Sequence, residues 1–175
     1  MKKRTIELVN SIMLVLFGIV VLVLPLFDNN NIELVFILMF SIFGFLNLYK
    51  FILVYKTKDY DGLFAFLSAV TGLILVFILD LEKPFHLALL IMLWVIVMSL
   101  IKLKKSDYYH DRNSKEWLVK FITMILFITT GILCAINLNE PNEQMLVVGF
   151  FFYIHGILEL MEPISLYLTN SKKEI

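Results

Sequence analysis

Three side chains that could exchange a proton stand close together near the end of the chain. His155, Glu159 and Glu162 are spaced i, i+4 and i+7, so on a helix they form one stripe. A histidine and a carboxylate one turn apart can share a proton. Two interpretations are open. The stripe is either proton-responsive, or it is a structural set that hydrogen-bonds to its neighbours and pairs with Lys50 or Lys102 near a membrane surface.

The sequence has few other groups arranged for catalysis or metal binding. It has no glycine-rich phosphate loop, no HExxH or CxxC motif and no serine nucleophile elbow. The three histidines share no metal-ligand spacing. The one cysteine, Cys134, excludes an intramolecular disulfide and a multi-cysteine metal cluster. We therefore expect a protein that is not an enzyme and that has no catalytic residue, metal or cofactor.

The composition indicates which elements must position these residues. Of the 175 residues, 60% are apolar and 17% are charged, against about 45–50% and about 25% in soluble domains. Six stretches lack Asp, Glu, Lys and Arg: Leu8–Phe27, Leu34–Tyr49, Gly62–Leu79, Pro84–Ile101, Phe121–Asn139 and Gln144–Leu158. At ~20 residues per crossing, six helices leave only short loops. The expected fold class is an all-α integral membrane protein, with six transmembrane helices in one domain over residues 1–175.

Membrane burial also constrains Glu159. A carboxylate that faces lipid near the middle of a helix costs ~2.5–3.5 kcal/mol on insertion-derived scales. We therefore expect Glu159 to face the interior of the bundle, with its protonation linked to that of His155.

The distribution of Lys and Arg predicts the orientation of the helices. Fourteen of the fifteen basic residues lie on one side of the predicted spans, and Lys83 is the exception. Because positively charged connections stay in the cytoplasm, we expect both termini there. The basic N-terminus followed by an apolar run also resembles a secretory signal peptide. No small-x-small cleavage site follows the run, so we expect this first helix to be retained.

The odd-numbered stretches repeat a pattern of glycine and proline. A glycine recurs in mid-helix at intervals of 54 and 59 residues: Gly18, Gly72 and Gly131. Each leads into a turn that contains a proline: Pro25, Pro84 and Pro141. The pattern predicts three helical hairpins, at about 8–55, 62–102 and 118–168, with a cytoplasmic basic loop at 103–117.

The even-numbered stretches align less sharply, with Gly44, Ile96 and Gly156 in register. Small residues let two membrane helices approach closely. We therefore expect five glycines to lie at helix contacts: Gly18, Gly44, Gly72, Gly131 and Gly156.

With these glycines, prolines and short acidic turns, the chain resembles the HdeD-like acid-resistance membrane proteins, whose repeated unit is a bacterial domain of unknown function. The resemblance covers about residues 8–168, and Ile96 departs from it where the second repeat lacks its second glycine. It implies a multi-pass protein of the bacterial plasma (inner) membrane, linked in some relatives to survival of acid stress. It carries over no catalytic residue.

Two classes of function stay open. The first is a non-enzymatic protein of the HdeD-like type, linked to acid or envelope stress and acting in the lipid bilayer, with copies of itself or other membrane proteins as partners. The second is a small transporter or channel for a proton-coupled or small solute. A transporter is expected to carry polar residues at the bilayer midplane on several helices, whereas the polar stripe here lies on one helix near its inner end. This favours the first class. We expect no nucleic-acid partner, because acidic residues are interspersed among the basic ones of the 103–117 loop.

Overall fold

The computed structural model describes residues 3–27, 31–54, 60–111, 116–139 and 143–171. Within these ranges there is no strand, and six helices follow one another: α1 Lys3–Val23, α2 Ile32–Val54, α3 Asp61–Ile78, α4 Pro84–His110, α5 Glu116–Ile136 and α6 Gln144–Ser171. Short 3-10 turns at Leu24–Phe27 and Asn137–Asn139 follow α1 and α5. Each of the six helices is long and apolar enough to cross a membrane. The predicted all-α fold with six membrane-competent helices is confirmed.

The largest difference from the predicted boundaries is at the end of α4. This helix continues to His110, so most of the segment predicted as a loop at 103–117 is helical. The residues after Ile101 include no glycine or proline before the helix ends, and leucine and lysine favour helix. The basic residues Lys102, Lys104 and Lys105 therefore lie on a rigid helix.

The prolines have different roles in the two turns that are described. Pro25 lies inside the 3-10 turn that follows α1. Pro84 is the first residue of α4, where its missing amide hydrogen costs nothing because that position has no helical acceptor. It therefore starts α4, whereas the sequence pattern placed it in the turn that stops α3. Pro141 lies outside the described residues.

The most extensive contacts join helices that belong to different predicted hairpins. The largest contacts join α6 to α1, α2 to α3 and α4 to α5, whereas the two helices of each predicted hairpin touch less. Each helix contacts the next, and α6 closes the bundle against α1. Because successive helices alternate in direction, α1, α3 and α5 begin where α2, α4 and α6 end. We call this end of the bundle the terminal end.

Glycines lie at these closest contacts. A Cβ atom added to Gly18 would lie 2.6 Å from the Cα of Tyr153 on α6, and one added to Gly156 would lie 2.5 Å from the backbone nitrogen of Val15 on α1. The other three repeat-related glycines meet side chains of the neighbouring helix: Gly44 meets Ala69, Gly72 meets Phe40 and Gly131 meets Val95. The helix backbones of α1 and α6 therefore touch with no side chain between them.

Aromatic rings fill the centre of the bundle. The indole ring of Trp94 on α4 makes edge-to-face contacts with rings from three other helices: Phe40, Phe43, Phe127, Phe151 and Phe152. Such arrangements are favoured because the ring edge is positive and the face is negative. The outer surfaces of the helices carry exposed Leu, Ile and Phe side chains, as contact with lipid requires.

Replacing Gly18 by Leu is expected to destabilise the fold, because its side chain must separate the α1 and α6 backbones. Overpacking of this kind costs about 1–3 kcal/mol or more. The neighbouring variant Ile19→Leu is a matched control, because Ile19 is exposed on the same helix. Thermal unfolding in detergent should show a lower midpoint for Gly18→Leu only. Equal midpoints for the two variants would contradict the contact.

Candidate functional site

Charged side chains from all six helices meet at the terminal end. We call them the charged cluster, and its members line one small polar cavity: Glu7 of α1, Lys50 of α2, Asp61 of α3, Lys102 and Lys105 of α4, Lys120 of α5 and Glu159 of α6. Glu159 lies about three turns before the end of α6, and the other members stand within about two turns of the helix end nearest the cavity. The cluster therefore joins the six helices at one end of the bundle.

Short ion pairs connect the helices in the cluster. Lys50 Nζ lies 2.8 Å from Glu7 Oε1, which joins α2 to α1, and Lys102 Nζ lies 2.7 Å from Glu159 Oε1, which joins α4 to α6. Lys105 Nζ lies between two carboxylates, 3.8 Å from Glu7 Oε1 and 4.0 Å from Asp61 Oδ2. The lysines of α4 thus reach α1, α3 and α6.

Three of the four lysines of the cluster are almost fully buried: Lys50, Lys102 and Lys120. The side chain of Lys102 is 3% exposed, whereas that of its partner Glu159 is 19% exposed. A buried charge is stable only when an opposite charge and hydrogen bonds replace its water. The ion pairs therefore permit lysines to be buried at the end of an otherwise apolar bundle.

The cavity inside the cluster is small. It leaves about 40 Å³ of open space, whereas one water needs roughly 10–15 Å³. Asn47 donates a hydrogen bond from Nδ2 to the carbonyl oxygen of Phe43 at 2.8 Å. The Oδ1 atom of Asn10 is buried and has no hydrogen-bond partner among the described residues. The cavity has room for a few waters or a small ion, and no room for a metabolite.

The structure separates the members of the predicted stripe on α6. His155 is fully buried, and its ring centroid lies 4.2 Å from that of Phe127 and 5.2 Å from that of Trp94. Glu159, one turn away, faces the bundle interior and pairs with Lys102. The side chain of Glu162 lies outside the described residues. His155 thus belongs to the aromatic centre and Glu159 to the charged cluster, while the linkage of their protonation stays a prediction.

Sequence reasoning missed two acidic members of the cluster, Glu7 and Asp61. Both lie immediately before a stretch without charged residues, and therefore outside the predicted membrane spans. The signal that could have found them is the glycine repeat itself. Eleven residues before each of its three glycines stands a charged residue of the cluster: Glu7, Asp61 and Lys120. The three residues therefore occupy equivalent positions on α1, α3 and α5. Because these helices run in the same direction, equivalent positions lie at the same end of the bundle.

Among the residues that the structure describes, no group of three or more His, Cys, Asp and Glu could hold a metal ion. Cys134 is buried, and its Sγ lies 4.0 Å from the carbonyl oxygen of Val147. A cysteine in this position packs as a small apolar residue.

Comparison of the chain with models of known protein families, with curated proteins and with solved structures found no match. The resemblance to the HdeD-like proteins therefore stays a prediction, and the argument for function depends on the geometry of the charged cluster.

The pairing of Lys102 with Glu159 is expected to appear in a double-mutant cycle. Lys102→Met leaves a carboxylate without its nearest cation, which costs up to about 3–5 kcal/mol in a buried site. Adding Glu159→Gln to Lys102→Met should recover at least ~1 kcal/mol of the lost stability, because it removes the carboxylate charge that Lys102 pairs with in the wild type. The free energy of unfolding in mixed micelles measures both effects.

The control for this cycle is the exposed pair of Lys83 and Asp80, whose charged atoms lie 3.0 Å apart in the turn between α3 and α4. Lys83→Met and Asp80→Asn should each change stability by less than ~1 kcal/mol. Strictly additive effects of Lys102→Met and Glu159→Gln would contradict the pairing.

Proposed function

We propose that the protein is a non-enzymatic, multi-pass protein of the bacterial plasma membrane, of the HdeD-like type, that responds to acid through its charged cluster. The observation that carries the proposal is the set of lysine–carboxylate pairs that joins α1, α2, α3, α4 and α6 around a cavity that Lys120 of α5 also lines. The cluster lies at the end where most Lys and Arg residues stand, so the positive-inside rule assigns it and both termini to the cytoplasmic side.

Acid changes the charge of the acidic members of the cluster and leaves the charge of the basic members unchanged. At neutral pH, three acidic members face four basic members and leave one net positive charge: Glu7, Asp61 and Glu159 against Lys50, Lys102, Lys105 and Lys120. Lysine has an ordinary pKa of ~10.4 and stays charged as the cytoplasm is acidified. Carboxyl groups, whose ordinary pKa values are ~4, are the groups that acid can protonate. Their protonation removes the negative charges and leaves lysines facing one another across a small cavity.

Acid therefore changes the cluster from attractive to repulsive. The stabilisation by the ion pairs is present while the carboxylates are ionised, and it is lost as the pH falls through their titration. Repulsion between four lysines then favours separation of the helix ends. In this proposal the separation of the terminal ends is the response, and the tightly packed glycine contacts nearer the centre hold the rest of the bundle together.

The aromatic centre supports this proposal over the alternative of a small transporter or channel. Rings from α2, α5 and α6 pack around Trp94 of α4, where a transport path would need polar groups. The polar groups of the cluster instead lie at one end of the bundle. A path for a solute between the cluster and the opposite side would require these rings to move apart.

The contacts of the glycines support an internal repeat in the same proposal. Each of these glycines contacts the even-numbered helix of the hairpin before its own, with the third hairpin counted as preceding the first. Gly18 contacts α6, Gly72 contacts α2 and Gly131 contacts α4. The three hairpins then contribute equivalent positions to the cluster. In the third hairpin the odd helix carries Lys120 where the first two carry Glu7 and Asp61.

The test is acid survival of a strain that lacks the native copy and expresses variants. Glu159→Gln imitates the protonated carboxyl group, so it should make the protein behave at neutral pH as the wild type does in acid. His155→Phe keeps a ring in the aromatic centre and removes its titrating nitrogens. If the two residues are linked, it should shift the pH at which the response appears.

Asp80→Asn is the matched control, because Asp80 is an exposed carboxylate at the opposite end with an ion-pair partner of its own. It should survive acid as the wild type does. Wild-type survival of a normally expressed Glu159→Gln strain would contradict the proposal. Altered solute uptake with unchanged acid survival would favour the transporter instead.

A further inference from the structure

An apolar groove runs between α3 and α4 on the outer surface of the bundle. Its walls carry side chains that are about half exposed, Phe64 and Leu67 on α3 and Leu93 on α4, and the ring of Phe40 on α2 also lines it. The groove exists because the two helices of this hairpin touch only lightly along their length. It opens towards the surroundings of the helices, which in a membrane are lipid chains.

The groove is apolar throughout although two hydroxyl groups line it. Ser68 Oγ donates a hydrogen bond to the carbonyl oxygen of Ala65 at 2.8 Å, and Thr71 Oγ1 donates one to that of Leu67 at 3.0 Å. Both hydroxyl groups are therefore satisfied by their own helix. Their methyl and methylene groups complete the apolar surface.

The dimensions of the groove fit a single hydrocarbon chain. Its open volume is about 270 Å³, just under the ~300–1,000 Å³ of sites for compact small molecules. It extends from Phe64 to Leu75 on α3, which at 1.5 Å per residue is roughly 16 Å. One leaflet of hydrocarbon is about 15 Å thick, half of the ~30 Å core. A second chain would have no room.

Positive charge borders the groove at the terminal end. Lys104 Nζ lies 5.5 Å from the centre of the Phe64 ring, which lines the groove. The Lys104 side chain is 61% exposed, and its Nζ lies 3.7 Å from Asp61 Oδ1. Lys105 follows on the same helix. Lys105 points into the charged cluster, whereas the exposed Lys104 borders the place where a lipid headgroup would stand.

We propose that the groove binds one acyl chain of an anionic phospholipid, whose phosphate contacts Lys104. The charged cluster and Lys104 together hold five lysines against three carboxylates, and this excess favours a headgroup with net negative charge. A zwitterionic headgroup would bring its own ammonium group towards this positive charge and gain less. The cytoplasmic leaflet, to which the positive-inside rule assigns these lysines, is the leaflet rich in anionic lipid.

Binding is measured by native mass spectrometry of the full-length protein in detergent, with phosphatidylglycerol and phosphatidylcholine of identical chains as probes. The wild type should bind phosphatidylglycerol more tightly. Lys104→Gln should weaken phosphatidylglycerol about five-fold, which corresponds to ~1 kcal/mol per basic residue near a charged surface, and leave phosphatidylcholine unchanged. Lys104→Arg should restore the preference, and Lys83→Gln, an exposed lysine at the opposite end, should keep it.

A second pair of variants tests the groove. Val97→Trp fills it from α4 and should lower the binding of both lipids, whereas Val20→Trp, on an exposed face of α1 away from the groove, should not. Equal affinity of the wild type for the two lipids, or an unchanged preference in Lys104→Gln, would overturn the proposal. So would displacement of phosphatidylglycerol by inorganic phosphate alone, because the headgroup would then bind without the chain.

Discussion

A charge placed at the end of an apolar helix bundle must find its partner on another helix, and this constraint organises the terminal end of the molecule. Lys50 and Lys102 are almost fully buried, which is costly unless a carboxylate replaces their water. Their partners Glu7 and Glu159 come from α1 and α6, which lie side by side. The ion pairs thus connect α1 to α2 and α4 to α6, and they do so at the terminal end of the bundle.

The glycine contacts make this arrangement possible. Where Gly18 and Gly156 let α1 and α6 touch backbone to backbone, the two helix ends carry Glu7 and Glu159 towards the same cavity. Dispersion forces and close packing stabilise the middle of the bundle, since apolar side chains gain little by leaving lipid. Packing at the centre and ion pairs at the end are therefore two separate sources of stability, and the second depends on the ionisation of carboxylates.

The sequence predicts where the helices lie along the chain better than it predicts which helices pack against each other. The six apolar stretches are long enough that composition alone identifies them, and mid-helix glycines such as Gly18 indicate close contacts. Composition does not reveal that the most extensive contacts join different hairpins, because that depends on side chains of both helices together. The end of α4 was placed too early because Lys104 and Lys105 suggest a loop, although both lysines extend from a helix that ends at His110.

The central claim is that protonation of the cluster separates the helix ends. Spin labels on the exposed positions Val9 of α1 and Leu103 of α4 measure the distance near the cluster, and labels on Val20 and Phe85 measure it towards the opposite end, in a Cys134→Ala background. Between about pH 7.5 and about pH 2.5, a range that spans the ordinary carboxylate pKa values of ~3.9 and ~4.3, the first distance should increase by several ångströms and the second should stay constant. An unchanged first distance in folded protein, or equal changes at both ends, would contradict the account.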